Sequence, residues 1–279
     1  MSLPPICFRL SRFGFLLLTA CGSGQPGPTA GPPTTTTQQG TTQRPAHLFQ
    51  TGLVDAFLAG MLDGNYRVGD LHQHGDFGLG AFNNFDGELL LLDGKLYQVK
   101  ADGHAYAAAD SLRTPFSVVN FFRPDTTFSL RRRLPQAQLF AYLDSVVRGT
   151  NKLLAIKLTG RFRYVKARSN PPVYQRPYPP VAALIGGQKI FEHRQVQGTF
   201  VGYRLPAYLQ GINVPGYHFH FLTADHQAGG HVLDFTTDSV TVAVDELPSF
   251  SVELPTHPDF QRLNLAKNRQ AELNKVESR

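Results

Sequence analysis

The sequence predicts an α+β fold, with mixed and mainly antiparallel β-sheets and a few flanking helices. Short β-branched, aromatic or alternating runs recur along the chain and are separated by glycine, proline and asparagine, as is typical of strands and turns. The clearest helical stripe of apolar residues lies from Gln136 to Arg148, and Gly149 follows it. Many short strands with so few helices favour this class over a parallel α/β sheet.

The first 21 residues differ in composition from the rest. Arg9 and Arg12 precede an apolar run, and Leu-Thr-Ala-Cys (18–21) then resembles a bacterial lipobox. We expect residues 1–21 to be a lipoprotein-type signal peptide, cleaved before a lipidated Cys21; an ordinary secretory signal or a mis-assigned start codon are the alternatives. The protein would then be exported, either periplasmic or membrane-anchored. Release of a Cys21→Ser variant from the membrane fraction tests the anchor.

Residues 22–45 are rich in glycine, proline, threonine and glutamine and include four consecutive threonines (34–37). Such a segment cannot bury a core, so we expect a disordered tether. The globular region is expected over residues 46–279.

Charge and cysteine content exclude several classes of protein. The net charge is +6, but three arginines in the first 44 residues account for half of it, and no basic patch interleaved with aromatic residues follows. Nucleic acid is therefore disfavoured as a partner. Both cysteines, Cys7 and Cys21, lie in the leader, so a disulfide or a thiolate metal ligand is excluded from the globular region.

The first half of the globular region predicts a helix, a glycine-rich segment and a hairpin. Thr51 is suited to cap a helix that runs to about Leu62. The glycines between residues 69 and 80 indicate turns or close backbone approach, and His72 and His74 among them favour a structural role over a ligand role. Asp93-Gly94 separates two strand-like runs (89–92 and 95–99), which is a strong hairpin signal. Further strands are expected over 116–122, 153–165, 196–204, 240–244 and 250–254, with a loosely packed helix over 261–277.

Three histidines within fourteen residues are the main functional signal. In a strand from Tyr217 to Thr223, His218 and His220 point to the same face. The turn-forming residues 224–230 would reverse the chain and return His231 beside them. Three imidazoles that converge with open coordination positions are typical of catalytic zinc.

Other metal-site patterns fit less well. A cupin would carry a glutamate soon after His-x-His, but none occurs between His220 and His231, and the helical His-Glu-x-x-His motif of zincin proteases is absent. Asp225 and Asp234 are candidates for orienting the imidazoles.

Two charged residues upstream are candidates for function. Glu88 stands at the entrance to an almost wholly apolar strand, where a carboxylate is either a solvated strand end or a functional acid. Arg168 is expected in a loop that leaves the sheet, where it is either an exposed arginine or a clamp for a carboxylate.

From about His47 to the C-terminus the chain resembles the α-acetolactate decarboxylase family. The resemblance rests on residues 75–82 with Asp-Gly-Glu (86–88), on the loop from Arg168 to Pro177-Tyr178, on residues 211–221 and on residues 229–235. It implies a catalytic region over 46–279, two sub-domains that share a metal site, and a homodimer.

The resemblance also implies roles. His218, His220 and His231 would ligate Zn²⁺, Glu88 and Arg168 would act on the substrate, and a glutamate of the C-terminal tail would fold over the site. By spacing that residue is Glu277, with Glu272 and Glu253 as alternatives. Ala81 departs from the family pattern, in which a threonine is expected.

The implied reaction converts 2-acetolactate into (R)-acetoin and CO2, with the metal stabilising the enediolate and a glutamate protonating it. Two alternatives stay open. A zinc hydrolase that uses metal-bound hydroxide would need the same ligands, and a non-enzymatic periplasmic metal-binding lipoprotein would bind the metal without turnover.

Overall fold

The computed structural model describes residues 46–277. The predicted signal peptide (1–21) and the predicted tether (22–45) lie outside the described residues, so the predictions about them stay predictions. Among the described residues, no helix combines the length and apolar character needed to span a membrane.

The described residues form fourteen strands, four α-helices and five short 3-10 turns. The strands in chain order are β1 (His47–Thr51), β2 (Tyr66–Arg67), β3 (Phe77–Ala81), β4 (Glu88–Leu92), β5 (Lys95–Val99), β6 (Ala105–Ala107), β7 (Arg113–Thr114), β8 (Phe116–Asn120), β9 (Thr126–Leu130), β10 (Leu153–Ser169), β11 (Lys189–Leu205), β12 (Gly216–Thr223), β13 (Gly229–Leu247) and β14 (Ser249–Glu253). The helices are α1 (Val54–Leu58), α2 (Gln136–Val146), α3 (Val181–Leu184) and α4 (Gln270–Glu277), and the 3-10 turns are Val68–Gln73, Asn83–Phe85, Ile185–Gly187, Ala207–Leu209 and Pro258–Arg262.

Two large sheets and one two-stranded ribbon build the fold. The seven-stranded sheet has the order β14-β1-β8-β3-β4-β5-β6, and all of its pairings are antiparallel except that of β1 with β14. The five-stranded sheet has the order β10-β11-β12-β13-β9, and β10 also pairs with β13, so four of its strands close on themselves. The predicted α+β class with mainly antiparallel sheets is confirmed.

The seven-stranded sheet is buried on both faces, and this explains why β4 has four consecutive leucines. In β4, Leu90 and Leu92 face a core shared with the five-stranded sheet, whereas Leu89 and Leu91 face a second core on the other side. Because successive side chains alternate between faces, a strand covered on both sides needs an uninterrupted apolar run. Glu88, two residues before Leu90, therefore points toward the five-stranded sheet.

The expected division into two sub-domains is not confirmed. The described residues belong to one compact unit, and one apolar core contains residues from both large sheets, such as Phe77 of β3 and Val201 of β11. A core that is continuous between the sheets leaves no boundary at which two sub-domains would separate.

The histidine hairpin has the predicted form. Strands β12 and β13 pair antiparallel, with His220 opposite His231. Phe219 and Phe221 point into the core of the closed sheet, so His218 and His220, which alternate with them, face the other way. Glycine is required at the return of the chain, because a Cβ on Gly229 would lie 2.1 Å from the carbonyl oxygen of Phe221.

Several predicted boundaries are wrong. Thr51 does not cap a helix but ends β1, because residues 49–51 pair with β8, and α1 covers only Val54–Leu58. The expected strand over 240–244 is only part of the nineteen-residue β13. Long-range strand pairing decides both of these boundaries, and local patterns do not contain it. In the tail, the α-helix covers only Gln270–Glu277, and a 3-10 turn precedes it over Pro258–Arg262. The Asp93-Gly94 hairpin and the helix near 136–146 are confirmed.

A buried polar network joins the two sheets. The Tyr203 hydroxyl donates to Oδ1 of Asn120 at 2.9 Å, and Nδ2 of Asn120 donates to Oδ2 of Asp245 at 3.1 Å. The backbone N–H of Arg123 donates to the same oxygen at 2.9 Å. Burial raises the pKa of Asp245 to about 6, and Asp125 adds to the rise.

We expect Asp245→Asn to stabilise the protein at neutral pH. The folded-state pKa of about 6 lies above the ordinary value of 3.8, so the folded state binds the proton more tightly. Stability is therefore lost as the pH rises from about 3.8 to about 6, and the full loss remains at higher pH. The gain in free energy of unfolding should reach about 3 kcal/mol near pH 7.5 and shrink below about 1 kcal/mol at pH 4. Urea unfolding from pH 4 to 8 measures it, with the exposed Asp259→Asn as control. A gain that does not change with pH would contradict this assignment.

Candidate functional site

Three buried histidines form the centre of the site. His218 and His220 lie on β12, and His231 on β13. Each is at most 9% exposed, and one ring nitrogen from each lies within 4.8 Å of the others. Nε2 of His218 and Nδ1 of His231 are 3.1 Å apart. The hairpin therefore brings the three predicted imidazoles to one point.

The backbone determines which nitrogen of His220 faces the site. Nδ1 lies 2.9 Å from the carbonyl oxygen of Leu89 on the neighbouring sheet. A carbonyl oxygen only accepts, so Nδ1 carries the hydrogen and Nε2 keeps its lone pair. This contact fixes both the tautomer and the orientation of the ring.

The environment keeps the imidazoles neutral. Burial, with the positive charge of Arg168 adding to it, lowers the pKa of His218 to about 3. Burial also lowers the pKa of His220 and of His231 well below the ordinary value. Neutral imidazole is the form that ligates a metal.

Glu88, the first residue of β4, meets the histidines from the opposite sheet. Its Oε1 accepts hydrogen bonds from Nη1 of Arg168 at 2.8 Å and from Nδ2 of Asn170 at 3.1 Å. Its Oε2 lies 3.5 Å from Nε2 of His220. Burial raises the pKa of Glu88 to about 7, with Arg168 opposing the rise and Glu277 adding to it. A carboxyl with this pKa exchanges a proton near neutral pH.

Arg168 lies in a strand and not in the predicted loop. It is the penultimate residue of β10, where it pairs with Ile190 on one side and His231 on the other. The strand continues this far because β11 and β13 both extend alongside it. Only 3% of the residue is exposed, which excludes the alternative of a surface arginine. Its Nε is buried without a hydrogen-bond partner among the described residues, so one donor remains for a ligand.

The C-terminal helix supplies the second carboxyl. Oε2 of Glu277 lies 3.5 Å from Nε2 of His231, and the side chain is 23% exposed. Burial raises the pKa of Glu277 to about 7, and the charge of Arg168 opposes the rise. The backbone carbonyl of Val276 accepts a 3.5 Å hydrogen bond from Nη2 of Arg168. Helix α4 thus contacts the site through its last turn.

The two alternative glutamates lie elsewhere. Glu272 bonds to Lys267 at 2.6 Å and to Arg269 at 2.7 Å, one turn before the site on α4. Glu253 ends β14 and lines a separate polar groove. Of the three glutamates considered from sequence, the structure brings only Glu277 to the histidines.

The cavity beside the histidines is mainly apolar. Helices α1 and α4 close one side of it, and Ala81 lies on its wall. The apolar side chains that line it include Phe57, Phe85, Phe116, Val214, Leu273 and Val276. Such a cavity suits a small ligand with a few polar atoms, and the polar groups all lie at the histidine end.

Other sequence-based candidates do not reach the site. His72 is exposed and His74 stacks on Phe49 with ring centroids 3.6 Å apart. Asp225 accepts from Thr223 within the hairpin turn, and Asp234 is exposed. The imidazole partners are instead a backbone carbonyl and the two glutamates.

Asn170 is not among the candidates that the sequence offers. It lies in the loop predicted to leave the sheet after Arg168, yet its amide donates to Glu88. The one available signal in the sequence is its position two residues after Arg168. A residue just beyond the end of a buried strand stays close to the site that the end of the strand reaches.

The donor set fits zinc. Zinc bonds to nitrogen measure about 2.0–2.1 Å, which places tetrahedral ligand nitrogens roughly 3.3 Å apart, close to the 3.1 Å between His218 and His231. Three imidazoles favour zinc or a similar borderline metal over calcium and magnesium, which prefer oxygen. His218, His220 and His231 would hold the ion.

The fold and the site define an α+β protein with a buried three-histidine centre of the type that holds a metal ion in enzymes. Residues 48–267 match the family model for alpha-acetolactate decarboxylase. The curated alpha-acetolactate decarboxylase of Methanosarcina mazei is 44% identical over 82% of this chain and 80% of its own length. That of Klebsiella aerogenes is 36% identical over 83% of this chain and 89% of its own.

The structural comparison agrees. The crystal structure of alpha-acetolactate decarboxylase from Bacillus subtilis strain 168 superposes with a TM-score of 0.81 at 32% identity, and covers 84% of this chain and all of that chain. The chain belongs to the alpha-acetolactate decarboxylase family, and is therefore an enzyme of the carboxy-lyase class.

Proposed function

We propose that the protein catalyses the zinc-dependent decarboxylation of 2-acetolactate to (R)-acetoin and CO2. The observation that carries the proposal is the convergence of three neutral imidazoles, a buried arginine and two carboxyls at one end of an apolar cavity. Zinc, when bound, supplies a Lewis acid that stabilises the negative charge that develops as CO2 leaves.

Arg168 is proposed to bind and orient the substrate carboxylate. Its guanidinium is buried, and its Nε has no acceptor among the described residues. A substrate carboxylate would satisfy that donor with a charge-assisted hydrogen bond. The interaction of Arg168 with the carboxylate must not be too strong, because the carboxylate departs as neutral CO2. An interaction that is stronger with the substrate than with the transition state slows the reaction.

Glu88 is proposed to protonate the product carbon. The bond between the carboxylate and the carbinol carbon breaks, its electron pair delocalises into the neighbouring ketone, and the carbon then takes one proton from Oε2 of Glu88. Two donors hold the other oxygen of Glu88, so the proton reaches one face only, which gives one enantiomer.

Glu277 is proposed to return a proton from solvent. Its side chain lies beside His231 and remains 23% exposed, whereas that of Glu88 is 5% exposed. The reaction consumes one proton for each CO2 released, so the buried acid needs a route to water. The apolar side chains of α1 and α4 exclude water from the rest of the cavity.

The direct test supplies racemic 2-acetolactate to the purified full-length protein. We expect release of CO2 together with acetoin, of predominantly the R form on a chiral column, with loss of turnover on chelation and recovery with Zn²⁺. Cleavage of an activated ester is measured in parallel. Zinc-loaded protein that produces no acetoin would overturn the proposal, and zinc-dependent ester cleavage in its place would identify a hydrolase.

A further inference from the structure

Asn170 is a buried amide directly behind the proposed acid. It follows the last residue of β10 and is 1% exposed. Its backbone carbonyl accepts from the N–H of Gly87 at 3.2 Å, and its Nδ2 donates to Oε1 of Glu88 at 3.1 Å. Asn170 is thus bonded through its side chain to the first residue of β4 and through its backbone to Gly87, the residue before that strand. It does not line the cavity, so it cannot act on the substrate directly.

Both hydrogen bonds to Glu88 end on the same oxygen. Oε1 receives Nη1 of Arg168 and Nδ2 of Asn170, while Oε2 faces His220 at 3.5 Å. Because donors occupy Oε1, that oxygen acts as the acceptor and Oε2 is the oxygen available to carry a proton. The arrangement fixes the rotation of the carboxyl group as well as its position.

Arg168 has a second task that Asn170 does not share. In the proposed reaction its guanidinium also binds the substrate carboxylate through Nε, so one side chain serves both the substrate and Glu88. The amide of Asn170 has no competing ligand and keeps its bond to Oε1 throughout.

The side-chain amide of Asn170 has one hydrogen-bonding atom without a partner. A residue that only stabilises the fold would be expected to have all of its buried polar atoms paired. Oδ1 of Asn170 is buried without a hydrogen-bond partner among the described residues. An unpaired buried acceptor is unfavourable for folding. By contrast, the equally buried Asn120 uses both ends of its amide, in bonds to Asp245 and Tyr203.

We propose that Asn170 is a positioning residue that holds Glu88 with Oε2 directed at the reacting carbon while Arg168 engages the substrate. The inference rests on the proposed function. It makes Asn170 a determinant of the rate and of the stereochemistry of protonation, and it leaves metal binding and substrate binding to other residues.

The test replaces Asn170 by leucine, which has a similar shape and no donor. We expect kcat for acetoin formation to fall about 10- to 100-fold, KM to stay within about twofold, and the enantiomeric excess of acetoin to drop. Zinc content should remain as in the wild type. The melting temperature should not fall, because the leucine also removes the unpaired acceptor. Asn170→Ser, which restores a shorter donor, should recover part of the rate.

Asn120→Leu is the matched control. It removes a buried amide outside the site and leaves two polar partners unpaired, so it should lower the melting temperature while kcat per folded enzyme stays unchanged. If Asn170→Leu lowers stability and leaves kcat and enantiomeric excess intact, the residue is structural and the inference is overturned.

A double-mutant cycle with Glu88 decides how Asn170 acts. If it works through Glu88, adding Asn170→Leu to Glu88→Gln should cost no further rate, since the group that it positions is gone. Equal losses in both backgrounds would overturn the inference even though the enzyme is active. A wild-type protein that forms no acetoin would instead overturn the proposed function, so the two failures are distinguishable.

Discussion

The His220→Gln variant is expected to fold, to lose its zinc and to be inactive. His220 presents Nε2 to the site because Nδ1 donates to the carbonyl oxygen of Leu89 on the facing sheet. Glutamine has no imidazole nitrogen that could bind the metal in this position. The loss of activity should exceed the roughly 10- to 100-fold that follows removal of a group that only supports a ligand. Metal analysis by mass spectrometry and acetoin formation on the same sample measure both effects.

Thermal stability offers an independent measurement of the same prediction. Zinc at 100 times its dissociation constant should stabilise the wild type by about 2.7 kcal/mol, because it binds the folded state alone. The His220→Gln variant should show little of this shift. His193→Gln is the control, since His193 lies on β11 outside the three-histidine group and should keep both metal and turnover. A His220→Gln protein that retains one zinc and normal turnover would place the metal elsewhere.

The Glu88→Gln variant is expected to keep its zinc and to lose about 10²- to 10⁴-fold in kcat, the range typical of a removed general acid. Glutamine has nearly the same shape, and its carbonyl oxygen can still accept from Arg168 and Asn170, but it has no acidic proton. Rates are compared at a temperature where both proteins are folded.

The exposed Glu192→Gln is the control for the loss of a negative charge. Glu192 pairs with Arg194 on the surface of β11, where its side chain is 50% exposed, and its replacement should change neither zinc content nor kcat. Retention of the wild-type kcat by Glu88→Gln would remove Glu88 as the proton donor and transfer that role to Glu277.

Local patterns predicted the elements whose partners are close in sequence. Asp93-Gly94 closes β4 and β5, and residues 224–230 turn the histidine hairpin, because a tight turn and the alternation of its strands are both local signals. Helix α2 was recognised by its apolar stripe. Thr51 was wrongly predicted to cap a helix, because the strand that it ends depends on pairing with β8 and β14, which are distant in the sequence.

The residues of the functional site also differ in how far local patterns predict them. The spacing of His218, His220 and His231 within one hairpin indicated a three-imidazole site from residues alone. Glu88 and Arg168 were ambiguous by themselves, and the family resemblance gave them roles. Their contact at 2.8 Å joins two different sheets across 80 residues, which no local pattern contains.

The residues alone predict the class of the fold, the hairpin that carries the imidazoles, and the absence of cysteine ligands in the globular region. The packed structure was needed to show that β10 extends through Arg168, that Glu277 and not Glu272 reaches the histidines, and that Asn170 bonds to Glu88. The difference lies in the range of the interactions. Strand alternation and turn formation depend on neighbours in the chain, whereas burial of Glu88, Arg168 and Glu277 at one point depends on how two sheets and the terminal helix pack.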